Sequence, residues 1–151
     1  MTTPLLAILL LLPLSVSATE LAGKAISCNP PPEYADRQHF EFEAGTVVRW
    51  RILKDEATAV LKEFNTAPYV ASPNRITWEM GDREWSLNRA TLELEKLFSG
   101  KTIYDNDERS KNLFRWSCEV YTSISEFKSM LEVLKLDKQR EIDEQMKDNK
   151  I

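Results

Sequence analysis

The chain is 151 residues long, carries 20 basic and 24 acidic side chains, and has a formal charge of −4 at pH 7. This length suits a single domain with a buried core, and the mildly acidic, mixed charge excludes an extended basic surface for nucleic acid or anionic lipid. The single histidine, His39, excludes a metal site with two histidines and most histidine-dependent catalysis.

The N-terminal residues have the pattern of a secretory signal peptide. An unbroken apolar run, Leu5 to Leu12, precedes the small residues Val16-Ser17-Ala18, where signal peptidase can cut. The run is shorter than the roughly 20 apolar residues of a spanning helix, and an uncleaved anchor is the alternative. We therefore predict a signal peptide over residues 1–18, a periplasmic or secreted protein, and no membrane span in the mature chain.

Cys28 and Cys118 are the two cysteines of the chain. In an exported protein, two cysteines pair most simply with each other, because free thiols do not persist in an oxidising compartment. Neither cysteine has a second cysteine or a histidine within metal-ligand spacing. The sequence therefore predicts a disulfide, no metal site and no cofactor.

The residues after Cys28 change from an extended segment to a series of short strands. Asn29 to Pro32 contains three consecutive prolines, which exclude helix and central strand and predict an extended lead-in. Apolar residues then recur at every second position, which predicts strands. These sets are Phe40 and Phe42; Val48, Trp50 and Ile52; Ile76, Trp78 and Met80; Trp85 and Leu87; Leu92 and Leu94; and Phe114, Trp116, Cys118 and Val120. Turns at Gly45, Gly81 and Asn88 separate them and predict an antiparallel meander.

Three segments of this region are less regular. The stretch from Thr58 to Phe64 fits either a strand or a short helical turn, and we interpret it as a strand. Tyr69-Val70 is predicted as a separate extended piece between two prolines. The polar segment from Ser99 to Lys111 predicts the longest surface loop.

The apolar period changes from 2 to 3.6 at Thr122. Ser123 followed by Glu126 fits a capping box, and the next apolar residues form a stripe at helical spacing. The stripe is Phe127, Met130, Leu131 and Leu134. Beyond it the chain is almost entirely charged or amide-bearing, with Ile142 and Met146 as isolated apolar residues. This pattern predicts a helix that begins near residue 123 and continues into solvent.

Short strands followed by one terminal helix are typical of a mostly β fold. We predict an antiparallel β-barrel or β-sandwich, built as a meander, with a C-terminal α-helix. Residues 19–134 form one β-rich domain in this prediction, and residues 135–151 form a charged, solvent-exposed helical tail.

Four tryptophans are the candidate ligand-facing aromatics: Trp50, Trp78, Trp85 and Trp116. Aromatic side chains of this kind can line a site for a sugar or an apolar ligand. Their alternation with other apolar residues favours the simpler interpretation, in which all four lie on inward faces and fill the core. Arg49 and Arg51 face the opposite way from Trp50 and form either a basic stripe or a solvated face. His39 is predicted to be a surface residue of a strand.

No catalytic residue is predicted, because the chain has no nucleophile elbow, no HExxH motif and no glycine-rich phosphate loop. A pair of carboxylates could still support glycoside hydrolysis. The candidates near the turn at Gly81 and on the next strand are Glu79, Asp82, Glu84, Glu93 and Glu95. Alternation explains them as outward-facing residues.

The strand–turn–strand element that contains Ile76-Thr77-Trp78 and continues from Trp85 to Leu94 has the pattern W-x-L-N-R-x-T-L-x-L between the two cysteines. It resembles a group of short, uncharacterised exported bacterial proteins, and the resemblance covers most of the chain after the predicted signal peptide. The overall plan is also similar to the periplasmic inhibitors of C-type lysozyme. Ser99-Gly100 and Tyr104 depart from the signature of those inhibitors in spacing and position.

These observations favour a non-enzymatic, exported binding or interaction module of the cell envelope, whose partner is an envelope protein or a small ligand. One alternative is a small-ligand carrier with an aromatic-lined barrel interior. The other is a small carboxylate-based hydrolase. A cavity within the sheet would distinguish the carrier, and two close, partly buried carboxylates would distinguish the hydrolase.

Overall fold

The structure, a computed structural model, describes residues 20–32, 36–98 and 114–148. The predicted signal peptide at residues 1–18, the predicted polar loop at residues 99–111 and the last three residues of the predicted tail lie outside the described residues. The segment from Ser99 to Tyr104, which departs from the signature of the lysozyme inhibitors, lies outside them as well.

Eight antiparallel strands form one closed barrel in chain order. They are β1 (Lys24–Asn29), β2 (Gln38–Phe42), β3 (Thr46–Asp55), β4 (Thr58–Ala71), β5 (Arg75–Met80), β6 (Arg83–Asn88), β7 (Glu93–Phe98) and β8 (Phe114–Tyr121). Each strand pairs with the next, and the pairing of β1 with β8 closes the barrel. Helix α1 (Ile124–Asp148) follows β8. The predicted mostly β meander with a C-terminal helix is therefore confirmed, in its barrel form.

Two strands differ from their predicted extents. Strand β1 occupies a segment for which no strand was predicted, because its outward residues, Ala25 and Ser27, are small and hide the alternation with the inward Ile26 and Cys28. Strand β4 is continuous through the piece predicted as separate. Pro68 is tolerated inside it because it lies where β4 passes from pairing with β3 to pairing with β5.

The inside of the barrel is packed with aromatic and aliphatic side chains. Phe40 lies edge-on to both Trp78 and Trp85, with ring centres 5.0 and 5.1 Å apart. The disulfide between Cys28 and Cys118, which are register partners in β1 and β8, is confirmed. An eight-stranded barrel is just wide enough for side chains to fill, and these contacts follow that rule.

Helix α1 packs on the outside of the barrel. Its buried Phe127 and Leu131 contact Ala25 of β1, and Trp50 and Leu61 lie at the edge of the same cluster. The helix begins beside the predicted cap, because Ser123 Oγ accepts a hydrogen bond from the Glu126 amide at 3.4 Å. The second apolar layer of the protein therefore lies between the helix and β1, β3 and β4.

The predicted solvent exposure of the tail is wrong at one turn of the helix. Ile142 is only 1% exposed, and the side chain of Gln139 accepts from the Ala59 amide at 2.7 Å and donates to the Ala57 carbonyl at 3.0 Å. Ile142 is buried because the β3–β4 hairpin reaches the helix. Between Trp50 and the hairpin turn, the described residues of β3 and β4 pair only with each other, and this extension of the hairpin contacts the second half of the helix.

Candidate functional site

Antiparallel order brings basic residues from β3, β6 and β7 to one end of the barrel. This end contains the ends of β1, β3, β5 and β7 and the starts of β2, β4, β6 and β8. Arg83 alternates with the inward Trp85, and Lys96 alternates with the inward Leu94, so both basic side chains belong to inward rows. Arg49 likewise alternates with the inward Val47 on β3, so its side chain also belongs to an inward row.

Two of these cations lie against the same tryptophan ring. Arg49 Cζ is 5.3 Å from the centre of the Trp85 ring, and Lys96 Nζ is 5.5 Å from it. Lys96 also lies 4.7 Å from the Phe114 ring and 5.2 Å from the Trp116 ring. Such contacts stabilise a cation by about 0.5–2 kcal/mol, more where water is excluded. We call the group formed by Arg49, Arg51, Arg83 and Lys96 the cationic end.

The cations of this group perturb each other. Burial is the largest cause that lowers the pKa of Arg49 from its ordinary value to about 10, and the charges of Arg51 and Arg83 lower it further. Burial also lowers the pKa of Lys96, with contributions from Arg83 and Arg49. The nearby carboxylate of Asp36 acts in the opposite direction on both groups. The barrel therefore holds like charges together in a partly desolvated place, which costs free energy of folding.

The same region is rich in hydrogen-bond donors. Arg49 Nη2 donates to Gln38 Oε1 at 2.7 Å, but no described residue accepts a hydrogen bond from its buried Nε. The buried indole nitrogens of Trp78 and Trp85 likewise find no acceptor among the described residues. Trp116 differs, because its Nε1 donates to the Asp36 carbonyl at 3.1 Å. A buried donor without an acceptor costs about 1–3 kcal/mol, so this arrangement suits a ligand that supplies acceptors.

Three of the four candidate tryptophans lie inside the barrel, as predicted, and Trp50 does not. Trp78, Trp85 and Trp116 belong to the barrel core. Trp50 lies outside the sheet beneath helix α1, where its Nε1 donates to Glu41 Oε2 at 2.9 Å. Alternation shows which residues share a face, but the outer face of β3 is also apolar because the helix covers it. The alternation along a strand is the same for a tryptophan inside the barrel and for a tryptophan beneath the helix.

His39 is buried rather than at the surface, which corrects its prediction. Its Nδ1 lies 3.1 Å from Ser27 Oγ on the neighbouring strand. Burial, with the charges of Arg37 and Arg49, lowers the pKa of His39 from 6.5 to about 4. The imidazole is therefore neutral at pH 7 and lies beside a cleft of about 360 Å³ between the helix and the barrel.

Four of the acidic candidates lie on the outside of β5, β6 and β7, and the fifth, Asp82, lies in the turn between β5 and β6. Glu79 and Glu84 are register partners, and Glu95 forms ion pairs with Arg75 at 3.2 Å and Arg115 at 3.3 Å. These side chains form a charged surface ladder, as their alternation predicted.

The basic residues of the cationic end could be recognised only in part from the sequence. The opposed orientation of Arg49 and Trp50 was visible there, whereas the approach of Lys96 to Arg49 was not.

Within residues 20–32, 36–98 and 114–148, no three His, Cys, Asp or Glu side chains are grouped as a metal site would require. No helix in the described part of the chain is long and apolar enough to cross a membrane. No protein-family model, curated protein or solved structure matches the chain.

Proposed function

We propose that this protein is a non-enzymatic, exported binding module of the cell envelope that binds an anionic ligand at the cationic end of its barrel. The observation that carries the proposal is the approach of Arg49 and Lys96 to the same Trp85 ring. These residues come from strands β3, β6 and β7, so their meeting is a product of the whole fold.

A structural role explains this cluster poorly. Like charges that are partly buried lower the stability of a fold, and groups with perturbed pKa values concentrate at functional sites. An anion between Arg49 and Lys96 would offset their repulsion and would accept from the donors that lack a partner among the described residues. The aromatic rings around Lys96 shield it in part from water and strengthen such an interaction.

The end of the barrel is a better place for a ligand than its centre. Phe40, Trp78 and Trp85 are in mutual ring contact, so a ligand at the centre would have to displace one of them. This favours recognition at the end over the alternative of a carrier with a ligand deep in the barrel. The hydrolase alternative gains no support from the outward carboxylates, of which Glu95 forms ion pairs with Arg75 and Arg115.

Anion titration tests the binding proposal directly. The mature protein is titrated with acetate, succinate, sulfate and inorganic phosphate, with glucose as the uncharged control, while the tryptophan fluorescence, to which Trp85 contributes, is recorded. We expect saturable binding of at least one anion, weakened by about tenfold or more in the Arg49→Gln/Lys96→Gln double variant. Arg115→Gln, which removes an exposed cation from the outer face, should leave the Kd unchanged. Anion binding that ignores the double variant, or no anion binding, would refute the proposal.

Export has a separate test. The disulfide is compatible with an oxidising compartment, and cleavage after Ala18 would release the chain from the membrane. Mass spectrometry of the protein recovered from cell fractions should give a mature chain that begins near Thr19. A chain that begins at Met1 and stays in the membrane fraction would contradict export.

A further inference from the structure

The cleft of about 360 Å³ between helix α1 and the barrel is a second concave region of the molecule, and Trp85 does not line it. One wall is the helix, which contributes Leu134. The other wall is formed by the start of β2 and by β3 just beyond Trp50, which contribute His39 and Ile52. Pockets for small molecules have volumes from about 300 Å³ upward, so the cleft has room for a small ligand.

A buried polar side chain lines this cleft. His39 is only 4% exposed, and its Nδ1 lies 3.1 Å from Ser27 Oγ. The other ring nitrogen, Nε2, forms no hydrogen bond with a described residue and is not fully enclosed. A ligand in the cleft can therefore reach Nε2.

The hydroxyl group of Ser27 decides which nitrogen of the neutral His39 ring carries the hydrogen. Ser27 is 6% exposed, and among the described residues its Oγ has only His39 Nδ1 as a hydrogen-bond partner. If Nδ1–H donated to Oγ, the buried hydroxyl hydrogen would lack an acceptor, which is unfavourable. If the hydroxyl donates to Nδ1, every buried hydrogen of the pair is satisfied. The ring hydrogen then lies on Nε2, which is a donor to the cleft.

The surroundings of this donor favour an anionic acceptor. The positive charges of Arg37 and Arg49 act on the His39 ring, and Arg37 lines the cleft. A hydrogen bond from a neutral N–H to a charged oxygen is about twice as strong as a bond to a neutral oxygen. A carboxylate is therefore a better partner for Nε2–H than an uncharged carbonyl group.

The acidic residues of the cleft have cations of their own. Asp137 forms an ion pair with Arg140, and Glu141 forms an ion pair with Lys138 at 2.8 Å. The carboxylate of Asp36 acts on the residues of the cationic end. These contacts reduce the repulsion that an incoming carboxylate would meet.

We propose that the cleft between helix α1 and the barrel binds a short-chain carboxylic acid, whose carboxylate accepts from His39 Nε2 and whose aliphatic part packs between Ile52 and Leu134. Both apolar residues are half-buried and lie on opposite walls of the cleft. This site differs from the cationic end in its recognising group, so the inference does not rest on anion binding there.

The hydrogen on Nε2 can be tested without a ligand. His39 is the single histidine of the chain, so its ring signals need no assignment in mature protein prepared without a histidine tag. In protein labelled with ¹⁵N-histidine, the ring nitrogen chemical shifts at pH 7 should be those of the Nε2–H form. The Nδ1–H form would overturn the proposal, because Nε2 would then be an acceptor and would repel a carboxylate.

Three ligands test the carboxylate and the aliphatic part: butyrate, butyramide and acetate. The His39 ring signals should shift in a saturable way with butyrate. Butyramide, which has no charge, should bind about tenfold more weakly. Acetate, which has two fewer methylene groups to bury, should also bind about tenfold more weakly. The absence of a butyrate-dependent shift, or equal affinities for butyrate and butyramide, would overturn the proposal.

Two tryptophan substitutions on the same helix locate the site. Leu134→Trp should fill the cleft and abolish butyrate binding, whereas Leu136→Trp, at a position that is 61% exposed, is the matched control and should leave the Kd unchanged. Butyrate binding that persists in folded Leu134→Trp would contradict the assigned site.

A third variant keeps the test open if Leu134→Trp does not fold, which thermal unfolding shows. Arg37 is exposed, so Arg37→Gln should fold. It should weaken butyrate about threefold and leave butyramide unchanged, because only butyrate carries a charge. Equal effects on the two ligands would contradict the proposed carboxylate.

Discussion

Lys128 of helix α1 lies with its ammonium nitrogen 3.3 Å from the centre of the Trp50 ring. The same nitrogen is 2.5 Å from Glu41 Oε2, the oxygen to which Trp50 donates its indole hydrogen. One contact therefore joins the helix to β2 and β3 through a cation–π interaction and an ion pair. With this contact in place, Phe127 and Leu131 of the same helix face the barrel.

The helix should therefore contribute to the stability of the barrel. Leu131 is fully buried and Leu136 is 61% exposed on the same helix, so they form a matched pair. Leu131→Ala should lower the free energy of unfolding by about 2–5 kcal/mol, and Leu136→Ala should change it by about 0.5 kcal/mol or less. Urea denaturation followed by circular dichroism measures both. Equal effects of the two substitutions would contradict the packing described for α1.

The last turns of the helix should also matter for stability. Ile142 is 1% exposed and Met146 is 41% exposed. Ile142→Ala should lower the free energy of unfolding by about 2 kcal/mol, whereas Met146→Ala should have a much smaller effect. A chain that stops at Asp137 lacks both Ile142 and the Gln139 contacts and should melt at a lower temperature. An unchanged melting temperature would show that the hairpin does not need this part of the helix.

The disulfide should stabilise the barrel at its closing strand pair. Cys28 and Cys118 are 90 residues apart in sequence and join β1 to β8. Replacing both by serine should lower the free energy of unfolding by about 2–5 kcal/mol, because the unfolded chain regains the freedom of a long loop. Chemical reduction of the wild-type protein should reproduce this loss. Two reactive thiols in denatured, non-reduced protein from the cell envelope would refute the bridge.

His39 should make stability depend on pH. Its pKa in the folded protein, about 4, lies below its ordinary value of 6.5, so the unfolded chain binds a proton more readily between these values. The free energy of unfolding should therefore fall by about 3 kcal/mol as the pH drops from 6.5 to 4. Above 6.5 the contribution of His39 is fully present.

Comparison with His39→Gln isolates this effect. Glutamine can retain a contact with Ser27 but does not titrate, so its stability should fall less over the same pH range. The two proteins share the other charged groups near His39, so the contributions of these groups cancel in the difference: Asp36, Arg37, Arg49, Arg51, Asp137, Lys138 and Glu141. Parallel pH profiles for the two proteins would contradict the assigned cause.

Local patterns in the sequence were sufficient for the class of fold. Alternation of apolar residues reports the two-residue period of a strand, which depends only on neighbouring residues, and the change of period at Thr122 reports the helix in the same way. Ser123 identified the start of that helix, since a cap acts within one turn. The cysteine pair followed from the predicted export to an oxidising compartment.

The tertiary structure decided which faces are buried and which residues meet. Trp50 and Arg49 are adjacent, yet docking of the helix outside β3 covers the tryptophan and closure of the barrel encloses the arginine. Ile142 is buried only because the β3–β4 hairpin reaches the helix. Arg49 and Lys96 lie far apart in sequence and share the Trp85 ring because an eight-stranded barrel brings β3 and β7 across a narrow interior. These are long-range contacts, and the spacing of residues along one strand carries no information about them.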